Sequence, residues 1–301
     1  MSELQETIDY VYLPENTYLN NDNYKVIKAH TSRSNFSIVY LAENNDGERV
    51  IIKEFFPKDL VLRDLDGKSL VCKQSNYKSK YIYSKERFLS EAIILKEFKS
   101  NRYICDCFDF FNENNTVYIV LRYYEGVTLE DALNKNKISF SKFLKEIYLP
   151  LIETVSKIHK KAYIHRDIKP ENIIISNAKP IIIDFGSAIN YKENQEKNIL
   201  LTPGFSPIEF YSAKTNQGPF SDIYSLSAIL YYYISDTRPL EANERIIEDN
   251  LIDINNMASE SYGIADLIMK NLSLVPEKRC QSVQEFKTLL FKKYFNNILR
   301  K

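Results

Sequence analysis

His165-Arg166-Asp167-Ile168-Lys169-Pro170-Glu171-Asn172 is the stretch on which the reading of this chain turns. It follows a long segment of helical spacing and precedes a short apolar run, which makes it a loop between a helix and a strand. It holds an acid, a lysine two positions on and an amide five positions on. Taken singly, Asp, Lys and Asn are ordinary solvated surface residues. Gathered in one loop, a carboxylate, an ammonium and an amide are candidates for acid–base and cation-binding chemistry. Asp184-Phe185-Gly186 follows twelve residues after Asn172 and adds a second carboxylate.

Working outward, the first 120 residues fall into short strand-like runs: YKVIKA, FSIVYLAE, RVIIKEFF, YICDCFDFF and TVYIVLRYY. Asn45-Asp46-Gly47 between two of them predicts a hairpin turn. RVIIKEFF places Lys53 on a strand. The segment ERFLSEAIILKEF predicts a helix with Phe88, Ala92, Leu95 and Phe98 on one face, and it carries Glu91. After residue 127 the period becomes helical. Thr128, with Glu130 and Asp131 behind it, predicts a capped start. Leu144, Ile147, Leu151, Val155 and Ile158 mark a helix over 140–161, which Pro150 is expected to kink or split. IIIS and PIIID are short strands around 172–184, and helices resume near 220–234, 262–272 and 281–298. The expected fold class is α+β, with a β-rich lobe carrying one main helix and a mainly helical lobe with a small inset hairpin. A cleft between two such lobes is a natural ligand site.

Composition excludes several function classes. Hydrophobic residues make up 44% and charged residues 27% of the 301, a globular balance. The 40 basic and 40 acidic side chains cancel, so there is no overall basic footprint for nucleic acid. No apolar run reaches the roughly 18–20 residues of a membrane span, and MSELQETIDY lacks a secretory pattern. A cytoplasmic chain without membrane or nucleic-acid partners is expected; its oligomeric state is not legible. Cys105 and Cys107 alternate onto one face of a strand in YICDCFDFF and read as buried reduced thiols rather than metal ligands.

Lys53 on a strand, Glu91 on the next helix, the His165–Asn172 loop and Asp184-Phe185-Gly186, in that order, are similar to the signature set of protein kinases. The resemblance covers about residues 24–295. Thr202-Pro203-Gly204-Phe205-Ser206-Pro207-Ile208-Glu209 resembles the end of a kinase activation segment, with Pro-Ile-Glu where Ala-Pro-Glu is usual. Ser221-Asp222-Ile223-Tyr224-Ser225-Leu226 resembles the start of the large buried helix that follows it. Arg279 stands where the family pairs an arginine with that segment's last glutamate. KEFFP, TPGFSPIEFY and an insertion at 57–85 look most like bacterial Hanks-type Ser/Thr kinases. The resemblance implies a bilobal kinase fold: an extension 1–23 packed on the N-lobe, the N-lobe at 24–124 and the C-lobe at 125–301. The insertion, rich in lysine (Lys58, Lys68, Lys73, Lys78, Lys80 and Lys85), is read as a solvated cover.

The same resemblance implies an ATP- and Mg²⁺-dependent transfer of the γ-phosphate to Ser or Thr hydroxyls of a protein substrate. Lys53 meets the α/β-phosphates and Glu91 holds it; Asn172 and Asp184 are the metal ligands. Asp167 is the catalytic base, and Lys169 neutralises the transferred phosphoryl and marks Ser/Thr specificity. Val39 and Ile51 roof the adenine and Ile174 floors it. Leu121 is the gatekeeper, and Arg122, Tyr123 and Tyr124 form the hinge. His165 is a packed core residue against Phe185, Arg166 positions the loop, and Thr202 contacts it.

One segment departs from the family. Where kinases cover the phosphates with G-x-G-x-x-G-x-V, this chain has Ser32-Arg33-Ser34-Asn35-Phe36-Ser37-Ile38-Val39. Ser32, Ser34 and Ser37 stand at all three glycine positions, where a Cβ imposes ordinary backbone geometry. The expectation is weakened rather than abolished ATP binding. An alternative reading is a pseudokinase acting as a nucleotide-binding or scaffold module; the intact Lys53, Glu91, Asp167, Asn172 and Asp184 oppose it.

Overall fold

Short alternating runs between residues 18 and 122 close a six-stranded antiparallel sheet in a computed structural model of the chain. That structure describes residues 11–30, 35–135, 138–193, 197–257 and 263–298. The strands are β1 (Tyr18–Leu19), β2 (Tyr24–His30), β3 (Ser37–Asn44), β4 (Arg49–Phe55), β7 (Cys107–Glu113) and β8 (Thr116–Arg122), ordered β1-β2-β3-β4-β8-β7. The β3–β4 turn is the expected one. Asn44 Oδ1 accepts from the backbone N–H of Asp46 and Glu48, and Gly47 takes the left-handed conformation at φ +79°.

The two faces of this sheet differ. Along β4, Val50, Ile52 and Glu54 are fully buried on one face, while Ile51 and Lys53 on the other are half-buried. Tyr40 pairs with Ile52 and Ala42 with Val50 in register, extending the fully buried face into β3. The insertion buries that face. β5 (Val61–Arg63) and β6 (Leu70–Cys72) form a hairpin that contributes Leu60, Val61 and Leu70 to the core, and helix α1 (Lys78–Glu97) follows.

This corrects two expectations. The helix begins at Lys78, inside the stretch read as insertion, because Tyr81 is the buried anchor of an otherwise exposed or half-buried first half: its ring stacks on Phe55 at 5.4 Å and its hydroxyl donates to the Asn115 carbonyl at 2.8 Å. Nor is the insertion only a solvated cover, although its lysines are exposed or half-buried. Arg63 is buried and makes a two-point ion pair with Glu54 at 2.6 and 2.7 Å. The same carboxylate accepts from Tyr40 at 2.7 Å and Tyr118 at 3.1 Å. Arg63 also donates to the carbonyls of Val11 and Lys68, and Tyr40 accepts from the Leu13 N–H. Burying two charges is tolerable only where their remaining donors and lone pairs are met, and here they are. Burial drives both tyrosine hydroxyls far above their ordinary range.

Cys105 lies just ahead of β7 and Cys107 opens it, with a bulge between Cys107 and Asp109, so the expected common strand face does not form. Both thiols are buried. Burial pushes Cys107 up to about 11 and Cys105 further, which keeps them protonated.

Residues from Glu125 onward form a second compact unit, separate from Met1–Tyr124. β9 (Val127–Thr128) leads into α2 (Leu129–Lys135), whose first turn is held by Thr128 Oγ1 accepting from the Asp131 N–H. The next helical run is not split by Pro150. Residues Phe143–Tyr148 wind as a π-helix that passes directly into α3 (Leu149–Lys160). The wider turn shifts the hydrogen-bond register, and the Leu149 N–H reaches the Leu144 carbonyl, so the missing proline donor is absorbed without a break. All five predicted core positions of this run are buried. β10 (Tyr163–Ile164) pairs with β13 (Ile189–Asn190), and β11 (Ile173–Ser176) pairs with both β9 and β12 (Lys179–Ile182). Helices α4 (Pro219–Ser235), α5 (Ala242–Ile247), α6 (Ala265–Asn271) and α7 (Val283–Ile298) complete the unit. Among the described residues no helix is long and apolar enough to cross a membrane.

Candidate active site

The first unit positions a charge. Lys53 sits in mid-β4 opposite Val39 of β3 and Ile119 of β8. Its Nζ lies 2.8 Å from both carboxylate oxygens of Glu91, which α1 presents with only 1% exposure. Val39 and Ile51 flank the lysine on the same half-buried face, and Leu121, paired with Ile51, is buried. Beyond it, Arg122 pairs with Asp106 at 2.9 Å, the Tyr124 hydroxyl accepts from the Asp106 N–H, and Tyr123 is half-buried. Ser32 and Ser34 lie outside the described residues. Ser37 opens β3 opposite Phe55, buried and without left-handed backbone, which is what a residue carrying a Cβ does in a strand.

The second unit builds the loop. Arg166 takes the left-handed conformation at φ 68°, a strained choice for a long side chain. Asp222, in the first turn of α4, stabilises it. Its carboxylate accepts from the His165 N–H at 2.8 Å and the Arg166 N–H at 2.9 Å, and lies 2.7 Å from His159 Nε2. Burial pushes the Asp222 carboxyl upward, but the hydrogen bond from His159 and the other contacts outweigh it and hold the group below its usual range. Sequence reasoning took Asp222 only as part of a helix start. The signal available was a lone acid at the head of a very apolar helix. His165 is fully buried, edge-on to the Phe185 ring at 4.7 Å, and burial pushes its imidazole below the ordinary value.

Both oxygens of Asp167 are engaged. Oδ1 accepts from Thr202 Oγ1 at 2.8 Å; Oδ2 accepts from Asn172 Nδ2 at 2.7 Å and lies 2.9 Å from Lys169 Nζ. Lys169 also donates to Thr202 Oγ1 at 2.9 Å. Asn172 gives its amide N–H to the Asp167 carbonyl as well, so Oδ1 is the atom left to accept or to ligate. The β11–β12 pairing brings Asn172 next to the start of the Asp184 loop through an Ile183 N–H to Asn172 carbonyl bond of 3.1 Å. Asp184 is half-buried and accepts from the Gly186 N–H at 3.0 Å, and Ile174 is half-buried on β11. A carboxylate and an amide oxygen on adjoining strand ends form a hard, all-oxygen donor set, which fits Mg²⁺.

The segment that follows is tied down at several points. Arg166 donates to the carbonyls of Asn198 at 2.6 Å and Ser187 at 3.3 Å, and the Thr202 N–H donates to Ser206 Oγ. Gly204 has φ +79°, and a Cβ there would fall 2.6 Å from the Pro239 carbonyl, so no other residue fits. Glu209 makes a buried two-point pair with Arg279 at 2.7 and 3.1 Å.

The protein kinase domain family matches residues 59–295. The chain belongs to that family. Among its relatives, serine/threonine-protein kinase PknA of Nostoc sp. is 27% identical over 279 residues, 88% of this chain and 46% of that one. Serine/threonine-protein kinase cds1 of Schizosaccharomyces pombe is 29% identical over 277 residues, 86% of this chain and 56% of that one. This kinase domain thus spans about half the length of the curated relatives it matches. A solved structure described as PpkA-294 apo form superposes with a TM-score of 0.78 at 29% identity, covering 93% of this chain and 99% of that one. With the Nostoc relative, it places the chain among bacterial-type Hanks serine/threonine kinase domains.

Proposed function

We propose that the chain transfers the γ-phosphate of ATP to serine or threonine hydroxyls of a protein substrate inside the cell. The observation that carries this reading is the Asp167 cluster, in which Thr202, Asn172 and Lys169 fix one carboxylate from three directions. Asp167 orients the incoming hydroxyl and takes its proton. Lys169, shared between Asp167 and Thr202, supplies positive charge where the phosphoryl oxygens gather it. Lys53, held by Glu91, binds the phosphates, and Asn172 Oδ1 with the Asp184 carboxylate holds Mg²⁺. ATP contributes the transferable phosphoryl, with Mg²⁺ neutralising its charge; the protein's work is positioning and electrostatics. Val39, Ile51, Leu121, Tyr123 and Ile174 line the adenine site, and Ser32, Ser34 and Ser37 cover the phosphates.

Labelled ATP with Mg²⁺ and a generic basic protein acceptor tests this beside Asp167→Asn. Transfer by the parent that falls by about 10²–10⁴-fold in the variant is expected for loss of a catalytic base. Equal labelling by both proteins would overturn the assignment of Asp167.

A second reading has one observation behind it. The family match begins at residue 59, leaving outside it the strands around the serine-substituted loop. A nucleotide-binding module without transfer is the outcome favoured if neither protein labels the acceptor although ATP binds.

A further inference from the structure

Two surface features of opposite character lie on the two units. On the first, the β5–β6 hairpin and the opening turns of α1 flank an open pocket of about 500 Å³, lined in part by Val61, Leu70, Val71 and Ile82. The charged side chains that line it are Lys78 and Lys85, neither of which engages a carboxylate among the described residues. The neighbouring Lys73 and Lys80 are exposed, so the mouth is apolar within and basic around. On the second unit, the short helix α5 ends in Ile246 and Ile247, which are 61% and 90% exposed. Glu244 and Glu248 flank them and are exposed, while Arg245 between them is buried and paired with Asp249 at 2.8 Å. The knob is therefore apolar at its tip and acidic around it.

We propose that the pocket receives the Ile246-Ile247 knob of a second copy of this chain. Two branched aliphatic side chains suit an aliphatic-walled pocket of this size, and two glutamates meet two lysines at the rim. Each feature leaves aliphatic side chains in solvent, Val71 and Ile82 at the pocket and Ile246 and Ile247 on the knob. The opposite charges around them point to the same chain as the partner. The contact is head-to-tail, because knob and pocket are different surfaces. A pair so formed keeps one free knob and one free pocket, and it grows unless closure intervenes. A contact of one pocket and one short helix falls below the roughly 1,200 Å² of stable interfaces, so the association is weak and reversible. This inference does not rest on the kinase reading.

Sedimentation velocity of the whole chain over the micromolar range tests it. The parent is expected to shift beyond dimer mass with concentration and to dissociate in high salt. Ile246→Asp/Ile247→Asp and Lys78→Glu/Lys85→Glu should each stay monomeric with unchanged melting temperature, since all four positions are exposed or half-buried. Mixing the two variants should then produce a dimer and nothing larger, one partner lending its pocket and the other its knob. Cys72, which also lines the pocket, gives a second readout: Ile247→Cys should cross-link to it between chains with a short bismaleimide, and not in a Cys72→Ser background. A parent that remains monomeric throughout overturns the proposal. So does association that either variant retains alone, or a mixture that shows neither dimer nor cross-link.

Discussion

Thr202 Oγ1 donates to Asp167 Oδ1 at 2.8 Å and accepts from Lys169 Nζ at 2.9 Å, so a single hydroxyl fixes the spacing of the two charged groups. Thr202 is accordingly a positioning residue. Thr202→Ala is expected to lower kcat for phosphoryl transfer by up to about 10²-fold, the effect of a small misplacement, with KM for ATP little changed. Thr202→Ser keeps the hydroxyl and should recover most of the rate. Steady-state kinetics on the two variants decide it; an alanine variant as fast as the parent removes Thr202 from the machinery.

Arg63 and Glu54 are each almost fully buried, and neither can be left alone. Arg63→Ala strands the Glu54 carboxylate among two tyrosine hydroxyls and should cost about 3–5 kcal/mol in urea unfolding. Arg63→Met with Glu54→Met removes both charges and should recover much of the loss. If the double variant is no more stable than the single one, the pair is not the unit that matters.

Serine stands at positions 32, 34 and 37, and a Cβ disfavours the left-handed backbone that glycine reaches freely. Replacing all three by glycine is expected to tighten ATP binding roughly tenfold, about 1.4 kcal/mol. Isothermal titration with a non-hydrolysable analogue reads this directly. Unchanged or weaker affinity would mean that the serines suit the phosphates as they stand.

Acid should destabilise the second unit in two stages. Burial depresses the His165 pKa from its ordinary 6.5, so its neutral form contributes stability in full above that value and loses it as pH falls through the depressed one. Asp222 is also depressed, from 3.8, by the groups that hydrogen-bond to it, and its contribution disappears at lower pH still. Both slopes have the same sign. Melting temperature should therefore fall from about pH 6.5 downward. His165→Phe should flatten the upper part of that limb and leave the lower part.

What the sequence revealed follows from what chemistry constrains. Asp167, Lys169, Asn172 and Asp184 stand out in the sequence because the family's signature sets those residue types at fixed spacing. Strand alternation around Lys53 and the helical spacing of Leu144 to Ile158 are equally plain. The buried role of Arg63 was hidden because it stands among lysines in a segment without periodicity. Glu54 was hidden because strand alternation alone does not show that the face away from Lys53 is buried and carries a matching arginine. Pro150 signalled a kink or a split; the run is not split but changes winding to a π-turn just before it, a register change that periodicity cannot show. Asp222 acts on His165 and Arg166 more than fifty positions away, a relation that only the folded chain brings together.

The Val11 carbonyl accepts from Arg63, and the Leu13 N–H donates to Tyr40, both on the face of the sheet behind Lys53. The match to the family model starts at residue 59, and strand-like patterning starts near residue 24. A fragment trimmed at either landmark loses β1, and with it the groups that close the network around Glu54. The smallest piece of this protein worth expressing begins no later than Val11, ahead of both landmarks.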